Sequence, residues 1–144
     1  MRKINECIIH CSAINKDLTI EDIRKMHVGQ GWDDCGYHYL VRHSGIIEVG
    51  RLLWIMGAPL WIMGAHCRGH NKNSIGIAFN GLNEFYEEQF QSAASLIFDL
   101  QQIFGDLKIS PHNKYSNKRC PVFDVSIIKG LIDGMEKLRT SYME

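Results

Sequence analysis

The chain has 144 residues, 45% of them hydrophobic and 22% charged. That length buries roughly 68 to 70% of the unfolded surface in one core and predicts a single domain over residues 1–144. Sixteen basic residues against sixteen acidic ones give a formal charge of zero, which lacks the basic footprint of phosphate-backbone binders, so nucleic acid is not an expected partner. No apolar stretch approaches the ~20 residues of a membrane span. The opening Met1-Arg2-Lys3-Ile4-Asn5-Glu6 has no apolar signal-peptide segment. A protein made in the cytoplasm without a signal peptide and without a membrane partner is the expectation.

Cys7-Ile8-Ile9-His10-Cys11 is a short apolar run bounded by polar residues and predicts a buried strand with His10 at its C-terminal end. Thr19-Ile20-Glu21-Asp22 has the form of a capping box, and Ile20, Ile23 and Met26 follow at helical spacing until Gly29 and Gly31 end the helix. Tyr37–Val41 and Ile46–Val49 flank His43-Ser44-Gly45, which predicts a hairpin. Ser74–Phe79 reads as a further strand in which Gly76 hints at a close backbone approach. From Tyr86 onward, Phe90, Ala93, Ile97, Leu100 and Phe104 form the stripe of a core-facing helix. Leu107-Lys108-Ile109 predicts a short strand running into Pro111-His112. Ile128, Leu131, Met135 and Leu138 mark a last amphipathic helix capped by Asp124 or Ser126. Strands mixed with covering helices imply an α/β layer fold.

Leu53–Pro59 is followed at once by Leu60–His66, with six of seven residues identical. Solenoid repeats have longer periods and at least three copies, so this is a local duplication that lengthens a loop or strand end. Its tryptophans and isoleucines would form an apolar patch if looped out, which points to the rim of a groove or to self-association through residues 53–65.

Five cysteines, Cys7, Cys11, Cys35, Cys67 and Cys120, show no repeated spacing, and disulfides are not the default. Seven histidines are the more informative excess, since imidazole and thiolate are the ligands zinc prefers. His112 and Cys120 bracket seven polar and basic residues that can loop out and return, bringing both side chains to one ion. His10 is a candidate for the third ligand. The competing reading is that a lone histidine beside an apolar strand is a satisfied structural residue.

The order of motifs bears on that choice. His10-Cys11-Ser12, Ile23-Arg24 with His27, Gly31-Trp32, Gly36-Tyr37-His38-Tyr39, Gly50-Arg51, Gly64-Ala65-His66, Asn71, Asn73-Ser74-Ile75-Gly76-Ile77, His112 and Lys118-Arg119-Cys120-Pro121 follow one another along nearly the whole chain. This series resembles the zinc-dependent N-acetylmuramoyl-L-alanine amidases of the phage-lysozyme and peptidoglycan recognition protein superfamily. The resemblance implies a central mixed β-sheet flanked by helices, with Zn2+ in a groove for the peptidoglycan stem peptide. It matches His10, His112 and Cys120 to the metal ligands, Tyr37 to the catalytic tyrosine and Lys118 to the catalytic lysine. His66 and His38 are expected near the groove, in substrate contact or in orienting a ligand. His27, His43 and His70 are expected to be structural or solvent-facing, and Cys11 and Cys67 receive no role.

The implied reaction is hydrolysis of the amide between N-acetylmuramic acid and L-alanine, by a lysin acting on the cell wall after release or export. Against the family's usual length the chain carries seven extra residues between Gly50-Arg51 and Gly64-Ala65-His66, and the first copy of the duplication is the addition because the second retains His66. Two other readings compete: a muropeptide-binding module that does not cut, and a regulatory protein that grips an intracellular partner. Cys120, both ligand histidines, Tyr37 and Lys118 are all present, which favours catalysis.

Overall fold

The computed structural model describes residues 3–53 and 62–143. Most of the duplicated segment, residues 54–61, lies outside the described residues, and with it the expectations for its conformation, groove contact and self-association. The two residues that flank it, Leu53 and Ile62, are hydrogen-bonded carbonyl to amide.

Five strands form one mixed sheet. They are β1 (Glu6–Cys11), β2 (Tyr39–Val41), β3 (Ile47–Val49), β4 (Ser74–Phe79) and β5 (Lys108–Pro111), in the spatial order β3-β2-β4-β1-β5. Among the described residues only β2 and β3 pair antiparallel, as the predicted hairpin, with Gly45 at φ +91° in its turn. β1 lies between β4 and β5 and runs parallel to both, placing His10 opposite Ala78 and Ile9 opposite Pro111. The sheet with its covering helices is the α/β architecture predicted from the pattern.

Strand alternation divides the residues between two faces. Cys7, Ile9, Val41, Ile75, Ile77, Phe79 and Ile109 belong to the main core, beneath α2 (Glu87–Phe104) and α3 (Ser126–Met143), which pack against each other. Leu40 and Ala78 point the other way and meet Ile20 and Ile23 of α1 (Ile20–Gly29) in a smaller cluster with Cys35. That second face is only partly covered by α1, and it is the face to which His10 belongs.

The helices show where periodicity was sufficient and where it was not. Thr19 Oγ1 accepts from the Asp22 amide at 3.2 Å and Asp22 Oδ2 from the Thr19 amide at 2.9 Å, completing the predicted capping box. The inward stripe of α1 is Ile20, Ile23 and His27, whereas Met26 is 40% exposed. A step of four from Ile23 to His27 keeps the face that a step of three to Met26 leaves. In α3 the cap is Asp124, whose Oδ1 accepts from the Ser126 amide at 2.9 Å. Ile128 and Ile132 face the core, but no described residue after Ile132 is buried, and Leu138 of the predicted stripe is 61% exposed. Among the described residues no helix is long and apolar enough to cross a membrane.

A polar cluster ties the loop before α1 to the hairpin. Asp17 accepts from Arg42 Nη2 at 2.9 Å, from the His43 amide at 2.9 Å and from Asn80 Nδ2 at 3.0 Å. Arg42 also donates to Glu48, and Glu48 accepts from the Ile20 amide at the start of α1. Burial pushes the Asp17 carboxyl up, but these hydrogen bonds outweigh it and hold the group at about 2. Because this folded value lies below the unfolded value of about 3.9, the stabilisation is complete above the unfolded value and is lost as pH falls through the folded one. The side chain is 35% exposed, and solvent screening reduces the contribution to about 1 kcal/mol. Asp17→Asn is therefore expected to lower the unfolding free energy in urea by about that amount at neutral pH. Wild type and variant should converge as pH approaches 2; equal stability at neutral pH would refute the assignment.

Candidate active site

The parallel pairing brings distant chemistry to one sheet edge. His10 is the penultimate residue of β1, and β5 delivers His112 directly after Pro111, at the start of a 3-10 turn over His112–Lys114. The chain then loops out and returns, with Asn113 Nδ2 donating to the Pro121 carbonyl at 3.0 Å to tie the two ends of the loop. Cys120 arrives beside β1, where the Cys11 amide donates to its Sγ at 2.8 Å. The ligand atoms of His10, His112 and Cys120 all lie within 4.8 Å of one another, and the two imidazole centroids are 4.3 Å apart.

The electrostatics suit a cation. Burial, then the neighbouring His66, His112 and Lys118, hold His10 well below the ordinary imidazole range. Burial and Lys118 also lower His112. Both rings are therefore neutral and carry a lone pair, the state in which imidazole binds a metal. Cys120 Sγ accepts from the Cys11 amide at 2.8 Å and lies 3.6 Å from the Cys11 carbonyl oxygen. The nearness of the two thiols draws Cys11 down to about 7 and, with burial, holds Cys120 up, while the Cys11 amide and the Lys118 charge pull Cys120 the other way.

Tyr37 lies just before β2, with its ring centroid 5.1 Å from that of His10. Its carbonyl accepts from the Arg51 amide at 2.8 Å, and Arg51 Nε donates to the Cys35 carbonyl at 2.9 Å. Gly50 makes this approach feasible, because a Cβ there would sit 2.5 Å from the Tyr37 carbonyl oxygen. Burial, reinforced by the thiols of Cys120, Cys35 and Cys11, pushes the Tyr37 phenol above its ordinary value. At neutral pH it is a hydrogen-bond donor.

A groove of about 550 Å³ opens beside the cluster, lined among others by Trp32, His66, Arg68, His112, Tyr115 and Lys118. Lys118 is exposed, and among the described residues it forms no ion pair. His66 lies against His10, with its Nδ1 at 2.9 Å from His10 Nε2. His38 is fully buried: the Gly76 amide donates to its Nδ1 at 3.0 Å and its Nε2 lies 2.9 Å from the Ile62 carbonyl. His38 therefore does not line the groove: its ring nitrogens are engaged by backbone groups, and it packs against His66, which does.

Other histidines are structural. His27 is buried, accepts from the Gly36 amide at 2.8 Å and packs on Trp32. His70 stacks on Tyr115 at a centroid distance of 3.7 Å, and Tyr115 donates to the buried Glu6 at 2.6 Å. This stack joins the two loops that border the groove. Sequence reasoning gave no part to Tyr115, Glu6 or Cys11. Tyr115 sits inside the polar loop after His112, and Glu6 is a carboxylate in an otherwise apolar strand, a detectable anomaly. Cys11 contributes through its backbone, which no side-chain pattern reports. Gly76 is approached by the His66 imidazole and not by backbone, since a Cβ would stand 2.4 Å from His66 Cγ.

Residues 1–123 match the N-acetylmuramoyl-L-alanine amidase family. The chain is 32% identical over 127 residues to the endolysin of Escherichia phage T7, covering 81% of this chain and 80% of that protein. It is 29% identical over 120 residues to peptidoglycan-recognition protein SC2 of Drosophila melanogaster, covering 78% of this chain and 61% of that one. Among solved structures it resembles the N-acetylmuramoyl-L-alanine amidase LysC from Clostridium intestinale, with a TM-score of 0.80 and 27% identity over 92% of this chain and 87% of that chain. It also resembles bumblebee PGRP-SA, with a TM-score of 0.71 and 27% identity over 82% and 75% of the two chains. With residues 1–123 matched by the family model and an endolysin 32% identical over most of both chains, the chain belongs to the N-acetylmuramoyl-L-alanine amidase family.

Proposed function

We propose that this amidase is zinc-dependent and cuts the amide between the lactyl group of N-acetylmuramic acid and L-alanine, as a cell-wall lysin. The observation that carries the reading is the convergence of His10, His112 and Cys120 within 4.8 Å at the rim of the groove. Two neutral imidazoles and a thiolate form a three-ligand set of the kind that leaves a catalytic zinc one open position. Zinc bound there supplies a water of lowered pKa and polarises the amide carbonyl.

The remaining work falls to the chain's own side chains. The groove's volume of about 550 Å³ is in the range of small-ligand sites and receives the stem peptide. His66 lines it, and the buried His38 ring packs against His66. Lys118 places its ammonium at the groove, where negative charge grows on the carbonyl oxygen as the tetrahedral intermediate forms. A preorganised donor of this kind contributes about 3 to 4 kcal/mol. The Tyr37 hydroxyl, kept protonated by burial, donates a hydrogen bond toward the attacking water or the reacting carbonyl and so orients it. Cys120 would hold the cation as a thiolate, offsetting part of its charge, and serves as a ligand rather than a nucleophile.

Metal analysis together with digestion of purified peptidoglycan tests the reading. Wild type should hold zinc and release fragments with new L-alanine amino termini, and chelation should silence it. Cys120→Ser should lose most of its zinc. Lys118→Ala should keep zinc while turnover falls by about 100- to 1,000-fold, and Tyr37→Phe should also keep zinc with a smaller loss of turnover. Full turnover after exhaustive chelation, or undiminished turnover in Lys118→Ala, would overturn the corresponding assignment. Release of free reducing sugar would indicate a glycosidase, which needs a carboxylate pair.

A further inference from the structure

We infer that His66 and Ser74 form a positioning pair that fixes the tautomer of His10, leaving its Nδ1 as the bare nitrogen offered alongside His112 and Cys120. The inference rests on the zinc reading above for its purpose, though not for its geometry.

The directions of the hydrogen bonds follow from one end of the chain of contacts. The Ser74 hydroxyl lies 2.7 Å from the His70 carbonyl oxygen, and a carbonyl can only accept, so the hydroxyl donates its single hydrogen there. His66 Nε2 lies 3.2 Å from the same hydroxyl oxygen. With that hydrogen spent, Ser74 acts as the acceptor, and His66 carries its proton on Nε2. His66 Nδ1 is then a lone pair, 2.9 Å from His10 Nε2, which must supply the hydrogen. The form of imidazole that binds a metal is neutral and holds one proton, here the one on Nε2. Its Nδ1 is therefore unprotonated.

The pair is built to hold this arrangement. Ser74 is 0% exposed, His10 1% and His66 7%, so water does not compete for the contacts. The His66 ring lies on β4 where Gly76 has no side chain, and a Cβ at that position would stand 2.4 Å from the ring. Asn71 Oδ1 accepts from the amides of both His66 and Cys67 at 2.9 Å, anchoring the turn that presents the imidazole. Metal-binding histidines commonly donate their second ring N–H to an outer partner, whose loss costs about 10- to 100-fold in metal affinity. Here that partner is a second imidazole, and Ser74 determines which of its nitrogens accepts.

Two measurements test this, on the full-length protein. Long-range 15N–1H NMR of the metal-free protein should report the Nε2–H tautomer for both His10 and His66. Competition against a chromophoric chelator should show zinc affinity about 10- to 100-fold weaker in Ser74→Ala, with His66 now a mixture of tautomers and the far-ultraviolet dichroism unchanged. Ser74→Thr, which restores a hydroxyl, should recover affinity. His66 protonated on Nδ1 in wild type overturns the inference without any variant having to fold, as does wild-type zinc affinity in a folded Ser74→Ala. A wild type that shows both Nε2–H signals yet takes up no zinc supports the positioning pair and refutes the zinc reading, so the two failures are separable.

Discussion

The site depends on β1 being paired on both sides in the same direction. Because β4 and β5 run parallel to β1, their carboxyl ends share one edge with its own, and this is where open α/β sheets leave a crevice for ligands. His10 is fixed at that edge by its strand register, and the segment leaving β5 carries His112 to the same place. An antiparallel β5 would send His112 to the opposite edge and leave His10 without a second imidazole. The contact of Cys120 with the Cys11 backbone closes the arrangement, fastening the returning loop to the strand that carries His10.

Alternation along β1 gives one strand two jobs. Cys7 and Ile9 enter the core under α2 and α3, while Glu6, Ile8 and His10 face the side that α1 covers only in part. The core residues make the strand rigid, and rigidity is what holds His10 close to its partners. A one-residue slip of register would exchange the two sets, burying an imidazole in the apolar layer and turning Ile9 toward the groove. Selection of the register by the core is thus also selection of the site.

The legible part of the sequence was the part written in periodicity and in local turn chemistry. The capping box at Thr19 and Asp22, the hairpin turn at Gly45 and the stripe from Phe90 to Leu100 depend on neighbours within a few positions, and each was readable. The loop from His112 to Cys120 was readable as a segment able to return, but composition alone left His10 open between ligand and buried structural residue. Only the order of motifs along the chain joined it to the other two. The long-range polar contacts were not readable. Nothing in Ser74 announces that its hydroxyl meets His66, since that contact requires β4, the turn at Asn71 and the missing side chain of Gly76 to be assembled first. Met26 and Leu138 failed for a related reason: helical spacing defines a stripe, but the extent and angle of the surface beneath decide which of its members are covered.

The polar groups on the site face divide into those satisfied within the protein and those left with capacity for a ligand. His38 is bonded to backbone at both nitrogens, His66 is engaged at both of its own, and Ser74 ends on a carbonyl. An unsatisfied polar group in a buried place costs about 1 to 3 kcal/mol, so each of these bonds also removes a reason for the floor to rearrange. Among the described residues, those with capacity for a ligand include one nitrogen of His10, the His112 ring, the Cys120 sulfur, the Tyr37 hydroxyl and the Lys118 ammonium. A neutral imidazole with an aimed lone pair repels nothing and is held in place whether or not a cation is present. The floor consequently meets a ligand already organised, and the reorganisation that would otherwise weaken binding and slow the reaction has been completed during folding.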